Sequence, residues 1–165
     1  MKAIVTGSFD PITLGHIEII KKAKELFDEI YVVALINKDK SYMFSLEEKK
    51  EIMSASLSNI ENVVVDAYDG MTADYMHSKG INRIVRGIRG PEDEKYETML
   101  ADAMKSFDPD FETVFIQSSD EFKHISSTYA REAIINGKSL DKIISQKAIE
   151  KVKEIFNSKK KLSTD

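Results

Sequence analysis

Five short runs rich in β-branched or aromatic residues, at 3–6, 30–36, 62–65, 83–85 and 113–116, are separated from one another by stretches with helical spacing. That alternation constrains the fold more than any other feature. Strand and helix in regular succession make βαβ units, whose right-handed crossovers lay successive strands parallel in one sheet. The runs are almost continuously apolar, which suits strands covered on both faces. The expectation is an α/β chain: a doubly wound five-stranded parallel sheet with helices on both faces and C-terminal helices.

The helical stretches carry their own punctuation. Ser45 followed by Glu48 predicts a capping box ahead of Leu46, Met53 and Leu57, and Gly80 closes the segment 71–79 as a left-handed residue. Pro91 opens a helix whose Tyr96, Met99, Leu100, Ala103 and Phe107 share one face. Gly137 ends the segment beginning near Ser127. Leu140, Ile143, Ile144, Ile149, Val152 and Phe156 predict a final helical stretch packed on the rest, with Lys159-Lys160-Lys161 fraying. With no repeat or low-complexity linker in 165 residues, a single domain over 1–165 is expected, residues 159–165 forming a frayed tail.

Composition narrows the function classes. Hydrophobic residues at 42% can fill a core, and 24 Lys plus Arg against 28 Asp plus Glu give a formal net charge of -4. That sign argues against a phosphate-backbone binder, so nucleic acid is not an expected partner, although a local basic pocket is compatible with it. The absence of Cys rules out disulfides, thiolate catalysis and cysteine-ligated metals. No signal-peptide pattern opens the chain, and no apolar run approaches about 18 residues, so a cytoplasmic location without membrane spans is expected.

Three elements carry chemistry. Gly7-Ser8-Phe9-Asp10-Pro11-Ile12-Thr13-Leu14-Gly15-His16 falls where the first strand ends and the first long helix begins. In open α/β sheets ligands bind beyond the carboxyl ends of the strands, where strand order reverses. Gly7 lets backbone approach a ligand, and Gly15 stands at a helix entrance whose free N–H groups favour anions. His16 is then expected in the first turn, aimed at a phosphate. Neither a Gly-x-x-x-x-Gly-Lys-Ser/Thr run nor a Gly-x-Gly-x-x-Gly run is present, which disfavours a P-loop NTPase and a dinucleotide-binding dehydrogenase.

The second element, Ile125-Ser126-Ser127-Thr128, precedes a helical segment containing Arg131; its hydroxyls can cap N–H groups and reach triphosphate oxygens. The third, Arg86-Gly87-Ile88-Arg89-Gly90, offers two guanidinium forks at a strand's carboxyl end. Each has a plain structural reading on its own: a surface His, a hydroxyl cap, a solvated Arg pair. Their joint placement at the predicted ligand edge favours anion binding. His77, on a predicted helix, reads as an ordinary surface or partly buried residue. Three scattered His without Cys do not suggest zinc.

Thr13-Leu14-Gly15-His16 resembles the Thr/His-x-Gly-His signature of the nucleotidyltransferase superfamily, and Ile125-Ser126-Ser127-Thr128 resembles its second signature. Lys40 with Met43-Phe44-Ser45-Leu46-Glu47-Glu48-Lys49, then Arg86-Gly87-Ile88-Arg89, Tyr96-Glu97 and Glu112-Thr113-Val114-Phe115, make nearly the whole chain similar to the bacterial phosphopantetheine adenylyltransferases. The resemblance implies a Rossmann-like fold and transfer of the adenylyl group of ATP to 4′-phosphopantetheine, giving dephospho-coenzyme A and pyrophosphate. It also implies magnesium accompanying ATP and a homohexamer.

Carried over by position, the resemblance places Ser8 and Phe9 at the junction of the substrates and His16 on the reacting phosphates. Ser8, Lys40, Thr72 and Arg86 contact phosphopantetheine; Gly87, Ile88, Arg89, Glu97, Phe122, Lys123, His124, Ile125, Ser126, Ser127 and Thr128, with Ser8, Phe9 and His16, hold ATP. His16, Lys40 and Arg89 are the implied catalytic groups, and no residue is implied as a dedicated metal ligand. The chain departs from the usual pattern at Glu94-Lys95, where Phe-Glu is usual, at Ala103-Met104 for Met-Asn, and at Ile116-Gln117-Ser118 for Leu-Met-Pro.

Mononucleotide adenylyltransferases and small cytidylyltransferases share the two signatures, and Lys40 with Arg86 and Arg89 favours phosphopantetheine over their substrates. No Lys-Met-Ser-Lys-Ser-like run supports an aminoacyl-tRNA synthetase relative. A catalytically idle nucleotide-binding module fits less well, because His16 and its companions are all present. A phosphomonoester with a second pKa of about 6 is already mostly dianionic at neutral pH, so attack on ATP needs no strong base.

Overall fold

The computed structural model describes residues 1–164 and contains the elements β1 (Lys2–Gly7), α1 (Leu14–Lys24), β2 (Glu29–Leu35), α2 (Leu46–Ser56), β3 (Val63–Tyr68), α3 (Thr72–Lys79), β4 (Arg83–Ile88), α4 (Pro91–Phe107), β5 (Glu112–Gln117), α5 (Ser127–Ile135) and α6 (Gln146–Thr164). The five strands pair in parallel in the order β3-β2-β1-β4-β5. Winding runs outward from β1 to β3, then β4 returns to the other side of β1. The reversal of strand order therefore lies between β1 and β4, and the crevice beyond their carboxyl ends is the place for a ligand.

Both faces of the sheet are covered. Ala3, Val5, Ile30, Val32, Ala34, Val85 and Ile116 pack with the buried residues of α1, α2, α5 and α6, whereas Ile4, Val33 and Ile84 pack with Ala73, Tyr75 and Met76 of α3 and with Phe111. Neighbours along β1, β2 and β4 thus enter opposite clusters. That is why the strands read as continuous apolar runs.

Local signals match their predicted sites. Ser45 and Glu48 form the reciprocal capping box, with Ser45 N–H donating to Glu48 Oε1 at 2.8 Å and Glu48 N–H to Ser45 Oγ at 3.2 Å. Gly80, at φ 66, ends α3 in the left-handed region, where a Cβ is unfavourable. Pro91 is the first residue of α4.

Three differences have physical causes. β4 extends through Arg86, Gly87 and Ile88 instead of ending at Val85, because the Arg86 guanidinium finds partners beside the sheet. The final helix begins at Gln146; Leu140, Ile143 and Ile144 are buried from the turn before it. The tail expected to fray at Lys159 continues as helix to Thr164, with Lys159 Nζ donating to the Met43 carbonyl at 2.7 Å and to Glu48 Oε1 at 2.8 Å. Among the described residues no helix is long and apolar enough to cross a membrane.

Candidate active site

The loop after β1 places His16. Thr13 is the N-cap of α1 and His16 its third residue, close enough for a reciprocal pair: Thr13 N–H donates to His16 Nδ1 at 3.0 Å, and His16 N–H to Thr13 Oγ1 at 3.4 Å. With Nδ1 accepting, the neutral imidazole carries its proton on Nε2. Phe9, 1% exposed and at φ 43, meets the imidazole edge-on with ring centroids 5.0 Å apart. Gly15 sits at a close approach: a Cβ there would stand 3.3 Å from the Ile125 carbonyl oxygen, tighter than an ordinary contact.

Burial, and then the positive charges of Arg89 and Arg86, hold the His16 pKa down at about 4. In the unfolded chain the group titrates near 6.5, so between these values the unfolded state binds more protons, and stability falls as pH drops. Between pH 7.5 and 5.0, in a buffer free of phosphate and sulfate, the wild type should lose about 1–2 kcal/mol more than His16→Gln. Urea denaturation of both proteins at the two pH values checks this; equal losses would contradict it.

Arg86 stands at the centre of the crevice. Its Nε and Nη2 donate to the two carboxylate oxygens of Glu97, each at 2.8 Å, and its Nη1 donates to the Thr6 carbonyl and Thr6 Oγ1, both at 3.2 Å. Glu97 is the one residue of α4 buried from solvent, so the helix is fastened to the sheet through this bidentate ion pair.

Two cavities meet at that pair. One, of about 580 Å³, has Ser8, Lys40 and Thr72 in its polar lining and Leu100, Ala103, Met104 and Phe107 in its apolar wall. The other, of about 230 Å³, is lined by Phe9, Gly15, His16, Gly87, Arg89 and Phe122. Thr6, Gly7, Arg86 and Glu97 border both. Two ligands could therefore meet beside His16 and Arg86.

The cytidylyltransferase-like family matches residues 4–133. The chain is 40% identical to the phosphopantetheine adenylyltransferase of Bdellovibrio bacteriovorus, over 90% of this chain and 92% of that one. It is 41% identical to the protein of the same name from Thermotoga neapolitana (83% and 85% covered), and 34% identical to that of Shouchella clausii (94% and 98% covered). The chain belongs to the phosphopantetheine adenylyltransferase family. A solved bifunctional NMN adenylyltransferase/ADP ribose pyrophosphatase from Francisella tularensis superposes with a TM-score of 0.62 at 18% identity. The match covers 84% of this chain and 43% of that one, and shows the fold alone.

Within this phosphopantetheine adenylyltransferase family member, the residues expected around the acceptor, Ser8, Lys40, Thr72 and Arg86, all line the larger cavity. Of those expected around ATP, Phe9, His16, Gly87, Arg89, Glu97 and Phe122 line the smaller one. Ser8, expected at both ligands, lines only the larger cavity, and Ile88, Lys123, His124, Ile125, Ser126, Ser127 and Thr128 line neither. Ile125 is in the core, and Ser126 Oγ caps α5 by accepting from Tyr129 N–H at 3.1 Å. Ser127 Oγ donates to the Pro11 carbonyl at 2.8 Å, and Thr128 Oγ1 accepts from Arg131 Nη2 at 3.1 Å. Ser127 thus ties α5 to the loop that leads into α1 and His16. His77 lies elsewhere, in a surface pair with Asp108 at 2.7 Å.

Sequence reasoning assigned no role to Asp10 or Thr6. Asp10 is 2% exposed and accepts from the Met43 and Phe44 N–H groups, each at 2.9 Å, so it fastens the segment after Lys40 to the first loop. Arg131 Nη1 donates to its carbonyl at 2.9 Å and lies 3.7 Å from its carboxylate. The signal was an acid inside an otherwise apolar Phe-Asp-Pro-Ile stretch, a residue type that is buried only when paired. The departure at Ser118 has a use too: its N–H donates to the Ile88 carbonyl at 2.8 Å, a bond that proline could not supply.

Proposed function

We propose that the chain transfers the adenylyl group of ATP to 4′-phosphopantetheine, releasing dephospho-coenzyme A and pyrophosphate. The observation that carries this reading is the pair of cavities joined at Arg86 and Glu97, with Lys40 on one side and His16 and Arg89 on the other. The larger cavity suits an acceptor with a phosphate at one end and an extended, partly apolar arm. Ala103 and Met104, the departure from the usual Met-Asn, both belong to its wall. The smaller cavity suits the phosphates of a nucleotide.

An acceptor phosphate oxygen attacks the α-phosphorus while the bond to the β-phosphate bridging oxygen breaks, and pyrophosphate leaves with that oxygen. The attacking dianion needs no proton removed. Lys40, Arg86 and Arg89 offset repulsion between the anions, and the Nε2–H of His16 supplies a neutral donor for charge gathering on the transferred group. Magnesium enters this reading with ATP, held through phosphate oxygens and water. Among the described residues no three His, Asp or Glu side chains converge, and Glu97 and Asp93, the carboxylates in the smaller cavity's lining, accept from Arg86 and from Arg89 N–H. These residues do not fit a resident metal.

The same reading includes a homohexamer in the cytoplasm, where ATP is supplied. Self-association is supported by α4, whose Tyr96, Met99 and Phe107 are 55%, 59% and 63% exposed.

Pyrophosphate release by purified protein with ATP, magnesium and a panel of phosphorylated acceptors tests the assignment. Turnover with phosphopantetheine above mononucleotide acceptors is expected; preference for a mononucleotide would overturn it. Lys40→Ala should raise the phosphopantetheine KM by about tenfold or more, the scale of one lost charge-assisted contact, and leave ATP binding by calorimetry nearly unchanged. An equal loss for both ligands would contradict the role of Lys40.

A further inference from the structure

The connection between β5 and α5 carries Phe122, part of the smaller cavity's lining, yet most of it lacks regular secondary structure. It is gripped by α1. Glu18 accepts from the Ser119 N–H through both carboxylate oxygens, at 3.1 and 3.3 Å. One turn further, Lys22 Nζ donates to the Gln117 carbonyl at 2.9 Å and pairs with Glu18 at 2.9 Å. Between these two anchor points the Ser118 N–H is bound to Ile88, and at the entrance of α1 Gly15 rests against the Ile125 carbonyl.

Glu18 is well shielded, its side chain 11% exposed. Burial alone would raise its carboxyl, but the bonds from Ser119 and Lys22 outweigh burial and hold the group below its ordinary value. The carboxylate is therefore charged at neutral pH, and its bond to a backbone N–H is of the stronger, charge-assisted kind. Neither Glu18 nor Lys22 lines either cavity.

We propose that Glu18 and Lys22 act as a two-point clamp, positioning the β5–α5 connection against the helix that bears His16 so that ATP meets a preformed wall. This rests on the adenylyl-transfer reading above. A wall held in place before binding spares the ordering cost that a loose loop would charge against ATP affinity, and it keeps Phe122 in register with His16. The acceptor cavity lies across the Arg86–Glu97 pair and does not include the connection, so its ligand is indifferent to the clamp. Glu18 and Lys22 are positioning residues, without contact to reacting atoms.

The test compares full-length wild type, Glu18→Ala, Glu18→Gln, Lys22→Met, Lys22→Arg and the double variant Glu18→Ala/Lys22→Met. Calorimetry with magnesium-ATP and with phosphopantetheine is run beside thermal unfolding. Glu18→Ala should weaken ATP binding by about tenfold, the scale of one lost charge-assisted bond, and leave phosphopantetheine affinity within about twofold. Lys22→Arg should retain wild-type ATP affinity. The double variant should lose less than the product of its single losses, as partners in one network do.

Should Glu18→Ala fail to fold, Glu18→Gln, which retains an acceptor for Ser119 but loses the ion pair, should show a smaller loss confined to ATP. Unchanged ATP affinity in the Glu18 variants, or equal weakening of both substrates, overturns the clamp while leaving adenylyl transfer intact. A wild type that takes up no ATP overturns both.

Discussion

His16→Ala lowers kcat by at least about 10²-fold with a smaller change in KM, the scale of losing one preorganised donor to the transition state. The substitution also removes the acceptor for Thr13 N–H, so a loss of activity could be confused with a loosened start of α1. His16→Gln separates the two. Glutamine at this position completes a standard capping box, because its Oε1 can take the Thr13 N–H while Thr13 Oγ1 still caps the helix. It should therefore match or exceed wild-type stability and still lose kcat, since its amide does not reproduce the position of Nε2–H. Steady-state rates beside urea denaturation decide the matter, and near-normal turnover by a folded His16→Gln protein would remove His16 from the chemistry.

The largest stability loss is expected at Asp10. Asp10→Ala leaves the part-buried Met43 N–H and the buried Phe44 N–H without acceptors and strips the neighbouring cations of their counter-charge. Lys49 is one of them. It is 1% exposed, its Nζ lies 3.6 Å from the centre of the Tyr42 ring, and it has no hydrogen-bond partner among the described residues. Burial lowers the Lys49 pKa and Asp10 works against that shift. Removing one member of a buried charge group costs about 3–5 kcal/mol, a large share of the 5–15 kcal/mol that holds a typical domain together. Asp10→Asn, retaining one acceptor, should fall between. Adding Lys49→Met to Asp10→Asn should recover part of the loss, which keeps the idea testable if Asp10→Ala does not accumulate. A loss below about 1 kcal/mol in urea unfolding of Asp10→Ala would rule out this account.

The sheet was legible because its apolar runs and helix signals agree: Ser45 with Glu48, Gly80, and Pro91 each stand where the chain turns or caps. Strand ends were less legible where charged residues stay within a strand. Arg86 reads as loop until its partners Glu97 and Thr6 are known, and these lie 11 and 80 positions away. Ser8, Lys40, Thr72 and Arg86, expected around one ligand, come from separate elements and converge on one cavity. The structural bonds of the hydroxyl run were only partly legible. Thr128 meets Arg131 one turn along the same helix, whereas the bond from Ser127 to Pro11 depends on how α5 docks, which local sequence does not encode. The Lys159 contact with Met43 was hidden for the same reason, a lysine run at a chain end looking like any solvated tail.

The tautomer at His16 limits what this centre can accept. One ring nitrogen is spent on the peptide of Thr13, and the other holds a proton it can only offer, so the imidazole has no lone pair with which to deprotonate an incoming group. Alcohols and amines, which must shed a proton as they attack, would find no base in this imidazole. Selection for a ready-made oxyanion is thus written into the way the helix begins, before any pocket shape is considered.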